Sequence, residues 1–150
     1  VVLDDGTPGH VAQALGMARA LSTRFECEQT SLILAIRFRP LRPLMRLLAN
    51  FQFFGMPGFF LHCFCDIRLP TDDSRSIDEL KVDVVLSSGG NTLFANAALS
   101  HLLECRGWVS GSLKGYQAKL FAQVFSVVPL EMENNIVLPL PPTPLEFKRN

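Results

Sequence analysis

Apolar residues along this chain fall into short unbroken runs, separated by stretches whose spacing is helical. Val1-Val2-Leu3 is an apolar run closed by Asp4-Asp5, and the next stretch, Asp5-Gly6-Thr7-Pro8-Gly9-His10, is dense in turn formers. Val11, Leu15, Ala18 and Phe25 then share one stripe, with Gln13, Arg19 and Arg24 off it, which predicts an amphipathic helix. Ser31 to Ile36 is a second apolar run and predicts a buried strand. Strand, helix and strand joined by so long a crossover predict a parallel pair in a right-handed βαβ unit.

The same order recurs further along. Val82-Asp83-Val84-Val85-Leu86 has the β-branched content of a strand, Ser87-Ser88-Gly89-Gly90-Asn91-Thr92 reads as the loop after it, and Thr92 to Glu104 as helix. Trp108-Val109, Val124 to Val128 and Asn135 to Leu138 are shorter strand candidates. The polar stretch from Thr71 to Lys81 is expected to loop over the surface. These elements predict an α/β fold with a Rossmann-like parallel sheet flanked by helices, spanning residues 1–144. Pro139, Pro141, Pro142 and Pro144 predict a stiff connector over 139–150, leading toward a further domain.

The middle of the chain departs from this pattern. No acidic residue lies between Gln29 and Cys65, while Arg37, Arg39, Arg42 and Arg46 add four positive charges. Residues 51–64 carry six of the 12 phenylalanines: Phe51, Phe53, Phe54, Phe59, Phe60 and Phe64. The uncharged stretch from Leu47 to Cys65 is long enough for a membrane span, but Asn50, Gln52, Gly55, Pro57 and Gly58 interrupt it, and a helix broken at its centre would leave backbone groups unpaired in lipid. Three readings stand for the arginines with Phe53, Phe54, Phe59 and Phe60. They form a membrane-surface patch, with cations on anionic headgroups and rings in the acyl boundary. Or the rings fill the core beneath a helix over 41–54, whose apolar stripe is Leu41, Leu44, Met45, Leu48 and Phe51. Or the segment is a groove for a protein partner.

Composition narrows the class. Hydrophobic residues make up 48% and charged residues 19%, too apolar for a disordered chain. Fourteen basic residues balance 14 acidic ones, so no nucleic-acid partner is expected. The opening run has no room for a secretion signal, which predicts a cytoplasmic location, peripheral on a membrane if the patch reading holds. The four cysteines lack CxxC spacing and are expected reduced and buried.

The candidate chemistry lies in the two glycine-bearing loops. Each follows a strand and opens a helix, where free N–H groups and the positive end of the dipole suit an anion. Gly6 and Gly9 let the backbone approach a ligand, while Thr7, Ser88, Gly89, Gly90, Asn91 and Thr92 offer hydroxyls and amides suited to sugar or phosphate. In a parallel sheet both loops belong to the carboxyl rim, where such folds hold ligands. The plainer reading is that Thr7 or Asp5 caps the first helix and Thr92 the second. His10, at a helix start that favours a neutral imidazole, is the candidate general base, with simple capping or hydrogen bonding as its alternative. His62, in Leu61-His62-Cys63-Phe64-Cys65-Asp66, has contiguous neighbours that make poor tetrahedral ligands, so no metal is expected. His101 falls mid-helix and reads as structural.

Two segments carry a resemblance. Asp5-Gly6-Thr7-Pro8-Gly9-His10-Val11-Ala12-Gln13-Ala14-Leu15-Gly16-Met17-Ala18 resembles the opening of the mitochondrial fission (elongated mitochondria) family, a Gly-x-x-Gly-His/Asp loop followed by Gln-x-Leu-Gly-x-Ala. Val82 to Thr92 resembles its second landmark, a strand and a Ser/Gly-rich loop. The resemblance covers most of residues 1–110 and is more diffuse over 111–150. That family is similar to GT-B glycosyltransferases, including lipid-linked murein enzymes. The resemblance implies two Rossmann-like domains around a cleft, with this chain as the N-terminal, acceptor-side half. It implies that Gly6, Gly9, His10, Gly89, Gly90 and Asn91 face the acceptor or diphosphate, and that the acceptor is lipid-linked or at a membrane surface. Pro8 departs from an all-glycine loop, and the second, nucleotide-sugar domain is expected beyond the connector rather than within residues 1–150. A nucleotide-sugar donor is therefore expected only with a second domain, this chain holding no cofactor of its own, because half a cleft cannot bring donor and acceptor together. The alternative expectation is a non-enzymatic, membrane-peripheral adaptor that uses the fold as a platform for a protein partner.

Overall fold

Val2 and Leu3 point to opposite sides of one strand and both are about 1% exposed, so the first strand must be covered on both faces. A computed structural model of the chain describes residues 1–52, 55–70, 77–139 and 142. Its strands are β1 (Val2–Asp4), β2 (Ser31–Ile36), β3 (Cys65–Arg68), β4 (Val84–Ser88), β5 (Arg106–Ser110), β6 (Gln123–Ser126) and β7 (Asn135–Val137). They form one seven-stranded sheet in the order β3-β2-β1-β4-β5-β6-β7, and every pairing is parallel except that of β2 with β3. The helices are α1 (Pro8–Ser22), α2 (Arg42–Asn50), α3 (Pro57–Phe64) and α4 (Leu93–Leu102). This is a Rossmann-like α/β arrangement.

Two cores lie on the two faces of the sheet. Ala14, Met17 and Ala18 of α1 pack on Val2 and Leu86. On the other face Leu3, Leu32, Leu34, Val85, Val109 and Val124 meet Met45 and Ala49 of α2, Leu61 of α3 and the apolar side of α4. Helix α4 is buried along nearly its whole length. Its Asn96, fully buried, sets its amide nitrogen 3.0 Å from the Val85 carbonyl, 3.1 Å from that of Trp108 and 2.9 Å from Ser87 Oγ. One side chain thus ties α4 to both β4 and β5, and its satisfied donors make its burial tolerable.

Several local expectations change. The predicted Phe25 stripe position lies beyond α1 and is 64% exposed, because the chain turns away after Ser22 and Ala14, Met17 and Ala18 carry the contact instead. The predicted stripe on the 41–54 helix holds only in part as a core face, at Met45 and at half-buried Leu48. Met45 and Ala49 point inward, whereas Leu41, Leu44 and Phe51 are exposed. Pro57 opens α3 at its first position, where a missing N–H costs no hydrogen bond. The antiparallel strand β3 was hidden in the histidine–cysteine stretch. No described helix is long and apolar enough to cross a membrane. The proline-rich connector over 139–150 lies outside the described residues apart from Pro139 and Pro142.

Candidate functional site

The sheet order fixes where the two glycine loops meet. From β1 the chain moves outward to β2, and from β4 it moves the other way to β5, while β1 and β4 are parallel neighbours. Such a reversal opens a crevice at the carboxyl ends of the two strands. The loops are in direct contact there. Asn91 Nδ2 donates to Asp5 Oδ2 at 3.0 Å, and Ser88 Oγ donates to Gln13 Oε1 on α1 at 2.7 Å.

Asp5, although it belongs to a loop, has a side chain only 1% exposed. Its carboxylate accepts the Thr7 N–H at 3.0 Å, and His10 Nδ1 lies 2.9 Å from Oδ2. Burial by itself pushes the Asp5 carboxyl up, but hydrogen bonds from His10, the Thr7 backbone and Asn91, with the His10 charge, outweigh it and hold the group below the usual carboxylate range. His10 is the third residue of α1, and its side chain is 35% exposed. Its ring lies against Gly89. That residue has φ +84°, and a Cβ there would stand 2.5 Å from the imidazole Cγ. Gly89 is therefore required twice, for its backbone conformation and for the space that the ring occupies.

The amides of the first loop are mostly spoken for. Gly6 donates to Asp4 Oδ1 at 2.7 Å, Thr7 to Asp5, and His10 to the Thr7 carbonyl, while Pro8 has no N–H. Thr7 stands at the N-cap of α1 but its hydroxyl caps nothing, and Asp5 reaches Thr7 rather than the helix amides. Thr92 likewise stands at the N-cap of α4 without capping it. Its hydroxyl turns back to the carbonyls of Ser88 and Gly89, at 3.0 and 2.9 Å. Both capping expectations are thus corrected: neither helix start carries a side-chain cap, and the Thr92 hydroxyl binds the residues before it instead.

Helix α2 leans over this rim. Arg42 Nη2 donates to Asn91 Oδ1 at 2.5 Å, and Arg46 Nη1 donates to the Lys114 carbonyl at 3.1 Å. A cavity of about 430 Å³ lies between α2, the second loop and the segment after β5, lined among others by His10, Gly90, Arg42, Arg46, Lys114 and Tyr116. Among the described residues three cations and no carboxylate line it. A smaller cavity of about 110 Å³ adjoins it, with Asp5, Arg39, Arg42 and Asn91 in its wall. Burial pushes the Tyr116 hydroxyl up to about 12, against the pull of Arg46 and Arg42, so it remains a neutral donor. Cavities of similar size occur elsewhere, for example about 400 Å³ beside Lys81 and Asp83. A cavity of about 540 Å³ beside Arg106 and Lys119 is also cationic; what the rim cavity adds to a cationic wall suited to an anion is an imidazole bonded to a carboxylate.

The sequence-predicted residues separate accordingly. Gly6, Thr7, Gly89, Gly90, Asn91 and Thr92 lie on the two touching loops, with Gly9 and His10 in the first turn of α1 and Ser88 at the end of β4 beside them. Of the arginines, Arg42 and Arg46 turn toward the rim, Arg39 borders the smaller cavity, and Arg37 lies near His62 and Asp66 beside β3. Phe59 is 56% exposed, whereas Phe60 is half-buried against the core, stacked 6.5 Å from Phe64. Phe53 and Phe54 lie outside the described residues. No group of three potential metal ligands occurs among the described residues. His101 stands exposed on the last turn of α4, not in its interior. All four cysteines are free, but only Cys65 is buried, and Cys27 is exposed, which corrects the expectation for that residue.

Sequence reasoning passed over Asp5 as a site residue, as well as Gln13, Lys114 and Tyr116. Asp5 had a signal, an acid directly after a strand and five residues before His10. Lys114 and Tyr116 had none, since only the return of the chain after β5 brings them to the rim. Comparison with family models, with curated proteins and with solved structures finds no match to this chain.

Proposed function

We propose that this chain is the acceptor-side half of a GT-B-like sugar-transfer protein, of the kind that the mitochondrial fission family resembles. The observation that carries the reading is the meeting of His10 with a cationic cavity at the point where the strand order reverses. In this reading an acceptor hydroxyl lies against His10, which takes its proton as general base. Arg42, Arg46 and Lys114, with the amides at the start of α4, offset the charge of a diphosphate. The nucleotide-sugar is held by a second domain, since transfer needs donor and acceptor side by side.

A specific observation also favours a membrane-surface role. Leu41, Leu44, Leu47, Phe51, Met56 and Phe59 are exposed on α2 and around the start of α3, in the segment that carries four arginines and no acid. Such a surface suits a lipid-linked acceptor, and equally a non-enzymatic adaptor on a membrane. Titration calorimetry with a nucleoside diphosphate and with inorganic diphosphate separates the two. Transfer predicts binding that weakens at least tenfold in Arg42→Ala/Arg46→Ala, and loss of turnover in His10→Ala of any form that transfers sugar. No diphosphate binding, together with co-sedimentation on anionic but not neutral vesicles, would replace transfer by the adaptor role. If vesicle binding ignores lipid charge and Arg37/Arg39/Arg42/Arg46→Glu changes, the membrane surface is refuted.

A further inference from the structure

A buried carboxylate in a loop is costly unless its lone pairs are used, and Asp5 uses them on three donors from both loops. An ionised carboxylate can only accept, so the hydrogen between Asp5 Oδ2 and His10 Nδ1 belongs to the imidazole. In the neutral ring the lone pair then resides on Nε2, which makes no hydrogen bond to a described residue. The ring itself lines the cavity. Asn91 donates to the same Oδ2, and its own oxygen accepts from Arg42, so its amide orientation is settled by both neighbours. Gly89 provides the ring's seat on the other side.

We infer that Asp5 is the positioning residue of this site: it holds His10 in the Nδ1–H tautomer and turns the basic Nε2 to the cavity, with Asn91 fixing the carboxylate from the second loop. Asp5 touches no reacting atom. Its effect passes through the imidazole, which would take a proton on Nε2 while Asp5 stabilises the resulting cation. The inference rests on the reading of His10 as a base, but its test needs no substrate.

The test is a long-range proton–nitrogen NMR correlation of the histidine rings in the full chain, in mildly alkaline buffer, with His10 assigned from its loss in His10→Gln. In the wild type, Nδ1 is expected to be protonated and Nε2 bare. In Asp5→Asn one oxygen becomes an NH₂ group. The oxygen that remains is expected to stay where two donors meet it, His10 Nδ1–H and Asn91 Nδ2, because an NH₂ group there would face the Asn91 NH₂, so the Nδ1–H tautomer is kept. Asp5→Ala should release the ring to Nε2–H, the form that free imidazole prefers. An Nε2–H ring in the wild type, or one tautomer unchanged across all three proteins, overturns the assignment, and the wild-type spectrum decides even if a variant does not fold. Absence of diphosphate binding with the expected tautomers would defeat the transfer reading and leave the hold of Asp5 on His10 standing. The opposite pattern would defeat Asp5 alone. In a form that transfers sugar, Asp5→Ala should lower kcat by roughly 10²–10⁴-fold with KM little changed.

Discussion

Replacing Gly89 by alanine combines two penalties whose sizes can be worked separately. Its φ of +84° lies in the left-handed region, where an L side chain costs roughly 1–2 kcal/mol. The added Cβ would also stand 2.5 Å from His10 Cγ, and overpacking against a ring held by Asp5 costs roughly 1–3 kcal/mol. Together they predict a loss of about 3 kcal/mol, or about 6–12 °C in Tm for a domain of this size. The neighbouring glycines provide a scale. Gly6 has φ +74° but no atom within 4 Å of a Cβ, so Gly6→Ala should lose only the backbone share, about 1–2 kcal/mol. Gly9, in the first turn of α1, has open space and no positive φ, so Gly9→Ala should be neutral or stabilising by up to ~1 kcal/mol. Thermal melts followed by circular dichroism give the order, and the His10 ring resonances should shift in Gly89→Ala alone. If Gly89→Ala melts with the wild type, or loses no more than Gly6→Ala, the close seating of the imidazole on the second loop is wrong.

Two further predictions concern titrating groups. Because the folded Asp5 carboxyl titrates below its unfolded value, the stability it contributes is fully present above the ordinary carboxylate value of about 3.9 and is lost as pH falls through the lower folded value. Denaturant melts of the wild type and Asp5→Asn should therefore differ most near neutrality and converge in strong acid; a difference that persists or grows in acid would contradict the ionised, hydrogen-bonded carboxylate. The cysteines should react in order of access. At pH 8 a thiol reagent should take exposed Cys27 first, whereas Cys65, buried and pushed up to about 12, is ionised in only about one copy in ten thousand and should react after unfolding. Labelling of native Cys65 as fast as Cys27 would refute its burial.

The one-dimensional pattern went far wherever the physics is local. Apolar runs bounded by turn residues marked β1, β2, β4 and the later strands, but a continuous run did not guarantee cover on both faces: β2, expected to be buried, alternates, with Ile33 51% exposed, and Ile136 of β7 is exposed as well. Gly6 and Gly89 were legible because a positive φ, and at Gly89 the close approach of His10, exclude other residues; Gly9 and Gly90 have no positive φ. Where the pattern misled, the partner lay far away in the chain. Leu41, Leu44 and Phe51 have helical spacing, yet which side of α2 faces inward depended on the packing of Met45 and Ala49 against α4 and the sheet. Capping by Thr7 and Thr92 was a fair local expectation, but the Thr7 hydroxyl caps nothing and the Ser88 and Gly89 carbonyls drew the Thr92 hydroxyl elsewhere.

What the sequence by itself determined is the alternation of strand and helix and the chemistry of two loops, since periodicity and backbone conformation are written in neighbouring residues. Only the tertiary structure decided that Asp5 lies beneath His10, that Asn91 joins the loops, and that Arg42, Arg46 and Lys114 converge on one cavity. Those contacts join residues up to 86 positions apart, and their geometry follows from strand order, which no local pattern encodes.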